Sequence, residues 1–69
     1  MNIKFAENLK VLRAERSLSQ EKLASEIGVS QQCVSKWERG RMEPTLSYLW
    51  KLADFFGVSI DVLCGRTEW

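Results

Sequence analysis

The amino-acid sequence predicts an all-α fold, a compact five-helix domain formed by a single unit of 69 residues. Two observations lead to this prediction. Apolar residues recur every three or four positions, the spacing of a helix, and no alternating apolar–polar run of useful length indicates a strand. Four glycines also divide the chain into short segments, as expected of helices separated by tight turns. These glycines are Gly28, Gly40, Gly57 and Gly65.

The predicted helix boundaries rest on capping residues. Serine and threonine accept a hydrogen bond from the backbone where a helix begins, and glycine adopts the left-handed conformation that ends one. The first helix is expected from about Lys4 to Arg16. The second to fifth helices are expected to begin at Ser19, Ser30, Thr45 and Ser59. The second, third and fourth helices are expected to end at Gly28, Gly40 and Gly57.

The candidate core consists of the apolar residues on the inner face of each segment. The third segment has the weakest stripe, because only Val34 and Trp37 are spaced for it. We therefore expect Trp37 to pack in the core rather than to stack on a ligand. The other stripes are Phe5, Leu9 and Leu12; Leu23, Ala24 and Ile27; Leu46, Leu49, Leu52, Ala53 and Phe56; and Ile60 with Leu63.

Composition excludes several classes of function. The chain has no histidine, so serine–histidine and cysteine–histidine nucleophilic catalysis are excluded, as is a histidine-ligated zinc. Its two cysteines, Cys33 and Cys64, are too few to complete a metal site and are expected to stay unbridged. A domain of this size rarely has residues to spare for a catalytic pocket, so we expect neither an enzyme nor a cofactor.

The distribution of charge is more informative than the net charge of +1. Residues 1–42 carry eight basic and five acidic side chains, a net of +3, whereas residues 43–69 carry two basic and four acidic ones, a net of −2. One end of the molecule is therefore basic. No apolar run of 18 residues predicts a transmembrane helix, and the first 16 residues have no apolar stretch typical of a signal peptide. A cytoplasmic location is expected.

The second and third segments predict a helix-turn-helix over about residues 19–39. Only Gly28-Val29-Ser30 separates them, a turn short enough to hold the third helix at a steep angle to the second. Ala24 allows the two helices to approach closely. The outer face of the third helix keeps residue types that read bases, since glutamine pairs bidentately with adenine and lysine donates to guanine. That face consists of Gln31, Gln32, Ser35 and Lys36.

The sequence of these segments resembles the phage-repressor family of helix-turn-helix proteins, the Xre or Cro/repressor type. The run LSQEKLASEIGVSQQCVSKWERGRMEP, followed by TLSYLWKLADFFGVSIDVL, contains the pieces of that motif in order and in spacing. The resemblance spans about Phe5 to Leu63. It implies a double-stranded DNA operator as ligand, a homodimer on a palindrome, and a bacterial or phage-encoded protein associated with the nucleoid.

The resemblance also implies roles for individual residues. The base edges would be contacted by Gln31, Gln32 and Lys36. The backbone phosphates would be contacted by Gln20, Ser30, Ser35, Arg39 and Arg41, and Gln20 would also brace the glutamine beside it. Arg13 and Glu38 would form an ion pair that ties the first helix to the end of the third.

Departures from the family pattern concentrate in the fourth and fifth helices. Trp50 is bulkier than the usual leucine, Phe55 stands where a small residue is common, and Val62 where an acidic one is. We expect these three residues to contribute to a homodimer interface, because a two-fold protein matches a two-fold operator. The alternative is that they fill a larger core. Cys33 stands where serine or threonine is common; an inert thiol is expected, with a redox switch as the alternative.

The sequence therefore predicts a sequence-specific DNA-binding transcriptional regulator, most simply a repressor that acts by occupying its operator. The alternative is a protein-interaction module, such as an antitoxin or an adaptor, built on the same fold. Such a module has no need for Gln31, Gln32, Lys36 and Arg39 together, which favours the regulator. From its initiator methionine and its five-helix length, the chain is expected to be complete and to have no room for a small-molecule effector domain.

Overall fold

Five α-helices make up residues 3–66, the part of the chain that the computed structural model describes. They are α1 (Phe5–Glu15), α2 (Gln20–Ile27), α3 (Gln31–Glu38), α4 (Leu46–Phe56) and α5 (Ile60–Cys64). The predicted all-α fold is confirmed, and each helix lies within about two residues of its predicted position. The turn between α3 and α4, residues 39–45, is the longest of the connections between helices.

The start of each later helix follows the predicted capping chemistry. At all four positions the side-chain oxygen accepts a hydrogen bond from the backbone N–H three residues on, which satisfies one of the unpaired donors of the first turn. The caps are Ser19, Ser30, Thr45 and Ser59. At the other end of α2, Gly28 adopts a left-handed φ of 90°, as its position predicts.

Two helix ends differ from the prediction. The third helix has eight residues rather than about ten, because Arg39 is its C-cap and Gly40 lies one residue beyond. The first helix ends at Glu15 although no glycine is present, and Ser17 takes the left-handed conformation instead, with φ 55°. The guanidinium of Arg13 supports this turn by donating to the carbonyl of Leu18 at 2.8 Å.

The core forms from the inner faces of all five helices. Leu9, Leu23, Leu52 and Leu63 are fully buried, and Val34 and Trp37 from α3 join them. Trp37 is 1% exposed and packs edge-on against Phe5 and tilted against Tyr48, which confirms its predicted place in the core. Leu46 is the exception among the predicted stripes. It is 70% exposed, because it lies at the first turn of α4, on the flank of the helix that also carries the exposed Trp50.

Polar contacts fasten the helices to one another at their ends. Asn8 on α1 donates to the carbonyls of Val62 and Leu63 on α5. Arg16 donates to the last carbonyls of α4, those of Phe55 and Phe56, and its guanidinium carbon lies 5.1 Å from the centre of the Phe56 ring. These contacts place positive charge at the carbonyl end of α4, where the helix dipole favours it.

The most buried of these contacts joins α1 to α3. Arg13 forms a two-pronged ion pair with Glu38, with Nε–Oε2 at 2.6 Å and Nη2–Oε1 at 2.9 Å. The Glu38 side chain is 3% exposed and that of Arg13 is 21% exposed. The hydrogen bond to Glu38 is the main cause of an upward shift in the pKa of Arg13. The pair therefore holds the last residue of α3 against α1.

Both cysteines are free and half-buried. Cys33 packs against the core from α3, and Cys64 lies at the end of α5. Burial raises the pKa of the Cys64 thiol, so this group is less reactive than an exposed cysteine at neutral pH. Within residues 3–66, no helix is long and apolar enough to cross a bilayer.

The ion pair yields a stability prediction. We expect Arg13→Ala to lower the free energy of unfolding by about 3 kcal/mol, because the Glu38 charge would remain buried without its partner. Arg16→Ala is the matched control, since it removes an arginine near the same end of α1 whose partners are backbone carbonyls, and about 1 kcal/mol is expected. Urea unfolding followed by circular dichroism measures both. A loss in Arg13→Ala no larger than in the control would contradict the prediction.

Candidate nucleic-acid interface

The turn between α2 and α3 fixes the angle at which α3 leaves the body of the protein. Gly28 and Val29 both donate their backbone N–H groups to the carbonyl of Ala24, at 2.8 and 3.0 Å. The small side chain of Ala24 is buried between the helices, and Val29 packs against the core from the corner. Val34 and Trp37 then anchor α3 from below. The outer face of α3 is therefore presented by a rigid support.

That outer face carries the predicted base-reading residues. At about 100° per residue, Gln31, Gln32 and Lys36 fall within an arc of about 140° around α3. All three are exposed, whereas Ser35, which lies between them, is half-buried. The two glutamines occupy the first turn of α3 and the lysine the next one. The structure thus brings the three predicted base contacts onto one surface.

The predicted phosphate contacts lie around this surface. Gln20 is the first residue of α2 and is half-buried, while Ser30 caps α3 by accepting from the backbone N–H of Cys33. Arg39 and Arg41 follow α3, and both are exposed. The guanidinium of Arg39 lies back along α3, with Nε 3.4 Å from the carbonyl of Ser35. These two cationic groups lie at the C-terminal end of α3.

A chain of side-chain hydrogen bonds connects the surface to the buried ion pair. The Gln31 amide donates to Oε1 of Gln20 at 2.6 Å. The Gln20 amide in turn donates to Oε1 of Glu38 at 3.0 Å, the same carboxylate that binds Arg13. The resemblance implied the contact between the two glutamines and the ion pair, but not the link between Gln20 and Glu38. No sequence spacing indicates this link, because 18 residues separate the two positions.

The residues predicted for a dimer interface differ in their exposure. Trp50 is 61% exposed, but Phe55 and Val62 are half-buried, and Phe55 packs edge-on against the core residue Phe56. Phe55 lies about 140° around α4 from Trp50, five residues at about 100° each. The exposed apolar neighbour of Trp50 is instead Leu46, one turn earlier. We call Leu46 and Trp50 the α4 patch.

A hollow beside the α4 patch adds to this surface. It has a volume of about 190 Å³ and lies between α4 and the start of α5. Trp50 forms one side of it, and Ala53, Val58 and Ile60 provide apolar lining. A protruding aromatic side chain and an apolar hollow therefore lie next to each other on the same flank of the molecule.

Comparison with known sequences shows what this arrangement is similar to. The family model described as Helix-turn-helix, HTH_3, matches residues 9–63. The HTH-type transcriptional activator BcrR of Enterococcus faecalis is 39% identical over 66 residues, which cover 96% of this chain and 32% of that protein. An uncharacterized HTH-type transcriptional regulator of Methanocaldococcus jannaschii is 45% identical over 53 residues, covering 77% of this chain and 80% of that protein. The chain thus spans about a third of BcrR.

Solved structures of other proteins contain a similar fold. A transcriptional regulator from Listeria innocua superimposes with a TM-score of 0.92 at 32% identity, covering all of this chain and 64% of that one. Hydroxypropylphosphonic acid epoxidase from S. wedmorenis contains a similar unit, with a TM-score of 0.81 at 36% identity, but only 34% of that chain is covered. With this agreement in sequence and in structure, the chain belongs to the helix-turn-helix family HTH_3.

Proposed function

We propose that this chain is a sequence-specific DNA-binding transcriptional regulator that reads the major groove with α3. The observation that supports this proposal is the exposed row of Gln31, Gln32 and Lys36 on a helix that is fixed from behind by the core. An α-helix fits the major groove, where each base pair presents a distinct set of donors and acceptors. In a helix-turn-helix, the first turn of the second helix points toward the bases.

Phosphate contacts would set the register of α3 in the groove. Gln20 contacts Gln31 in the first turn of α3, and Arg39 and Arg41 follow the last residue of that helix, so phosphate contacts would be available along its length. Such contacts carry no sequence information but supply much of the affinity. Binding is therefore expected to weaken as the salt concentration rises, because counterions are released from the phosphates.

We further propose that two copies bind a palindromic operator. Two α3 helices would then enter successive major grooves about 34 Å apart. The α4 patch is the surface that supports a symmetric contact, because the exposed Trp50 of each copy stands next to an apolar hollow that another copy can fill. Phe55 and Val62 contribute less in this proposal, since both already pack partly against their own chain.

The regulator would act as a repressor by occupying its operator, in the cytoplasm and on the nucleoid. The second candidate is a protein-interaction module such as an antitoxin or an adaptor, and the observation that favours it is the same exposed α4 patch. Selection of binding sites from random duplex DNA, followed by sequencing, separates the two. An enriched palindrome supports the regulator, whereas weak salt-sensitive binding without enrichment contradicts it and favours the module.

The division of α3 into base contacts and phosphate contacts gives a paired prediction. Gln32→Ala is expected to lose about 1–3 kcal/mol of discrimination at one or two base pairs, because a bidentate contact to a base edge disappears. Arg39→Ala is its control at the other end of α3 and is expected to weaken operator and random DNA alike. Fluorescence anisotropy with both duplexes at fixed salt measures the ratio. An equal loss on both duplexes for Gln32→Ala would argue against direct readout.

The α4 patch gives a prediction about assembly. Trp50→Ser is expected to shift a dimeric parent toward the monomer, because it removes the exposed ring that fills the partner's hollow. Val11→Ser is the matched control, since Val11 is a 47% exposed apolar residue on α1, away from the patch. Sedimentation equilibrium measures the mass of each variant. If Trp50→Ser and Val11→Ser keep the same dimer affinity as the parent, the α4 patch is not the interface.

A further inference from the structure

The hydrogen-bond chain from Arg13 to Gln31 has a direction that its chemistry imposes. Arg13 can only donate hydrogen bonds, and the Glu38 carboxylate can only accept them. The atom of Gln20 that faces Glu38 at 3.0 Å must therefore be its amide nitrogen. Its oxygen then faces Gln31, so the atom of Gln31 that lies 2.6 Å away must again be a nitrogen. A single carboxylate thus orients two glutamine amides.

This orientation leaves Gln31 with one defined pair of free groups. One of its two amide hydrogens is used on Gln20, so a free oxygen acceptor and one free N–H donor remain. Adenine presents a donor at N6 and an acceptor at N7 in the major groove, which this pair complements. Guanine presents two acceptors, O6 and N7, and would need both amide hydrogens.

We propose that Glu38, paired with Arg13, is a positioning residue for base reading that makes Gln31 select adenine over guanine. This inference rests on the proposed function, because it concerns how the same surface reads DNA. It assigns to the buried ion pair a second role besides stability: the pair fixes which groups of a surface side chain face the groove. Gln20 connects Glu38 to Gln31, and the orientation of the Gln31 amide then determines which base it can bind.

The test is the preference for adenine over guanine at one base pair. Selection from random duplexes with the parent chain defines the site, and Gln31→Ala identifies the base pair that loses its preference. Dissociation constants for the adenine and guanine versions of that site then give a ratio for each variant. For the parent, a ratio of about tenfold in favour of adenine is expected.

Two variants interrupt the chain at different points. In Glu38→Gln the carboxylate becomes an amide whose nitrogen would face a donor of Arg13 at either oxygen position, so the pair weakens and Gln20 no longer faces a group that can only accept. In Gln20→Ala the ion pair stays intact and only the link is lost. Both are expected to reduce the adenine-to-guanine ratio to below about threefold while preferences at the base pair of Lys36 stay unchanged.

A merely structural role predicts a different result. Arg16→Ala weakens the body of the protein through α4 without touching the chain of amides, so its adenine-to-guanine ratio should equal that of the parent. The side-chain amide resonances of Gln31 in the free protein provide a readout without DNA. They are expected to shift in Glu38→Gln and Gln20→Ala and to stay in place in Arg16→Ala.

The outcomes distinguish this inference from the proposed function. If the parent enriches a site but Glu38→Gln and Gln20→Ala both keep its adenine-to-guanine ratio, the positioning role is overturned and DNA recognition stands. The same conclusion follows if the base that Gln31 contacts is not adenine. If the parent enriches no site, the proposed function fails and the positioning role fails with it. A selective loss at the Gln31 base pair, absent from Arg16→Ala, supports the role.

Discussion

The carboxylate of Glu38 is the contact on which the rest of this structure depends. Among residues 3–66 it is the one charged side chain that is fully buried, and it lies where α1, α2 and α3 meet. Burial of a charge is costly unless its partners are well placed, and here Arg13 supplies two donors and Gln20 a third. A protein of this size has little free energy of unfolding to lose, so this arrangement constrains the positions of three helices at once.

The hydrogen bonds that stabilise the fold therefore extend to the proposed recognition surface. The oxygen of Glu38 that accepts from Arg13 also accepts from Gln20, and Gln20 holds the first exposed glutamine of α3. The recognition helix is short, with eight residues, and its inner side is fixed by Val34 and Trp37. A helix held this firmly offers its outer side chains at a defined distance and angle, which lowers the entropy lost on binding.

Local chemistry explains how much of this could be read from the sequence. Helix starts were predictable because a serine or threonine cap is a contact within four residues, and the core because its stripes repeat at the helical period. The turn after α1 was less predictable, since Ser17 adopts a conformation usually left to glycine and the Arg13 guanidinium binds the carbonyl of Leu18. The contribution of Trp50, Phe55 and Val62 to a dimer interface stays a prediction, and their different exposures depend on how α4 and α5 pack against the other helices. The link between Gln20 and Glu38 depends on how three helices pack.

The contact between Gln20 and Gln31 also constrains how such a surface can change over evolutionary time. A substitution at Gln31 alone would leave Gln20 facing the new side chain with an acceptor, so any replacement that brings another acceptor would meet a mismatch. A base preference that needs an acceptor next to Gln20 would then require changes at both positions, with the order of mutations restricted by the intermediate. Gln32, one residue along, has no such contact among the hydrogen bonds that join α2 to α3 in residues 3–66, so in the proposed interface it is the position at which a binding specificity would change in single steps.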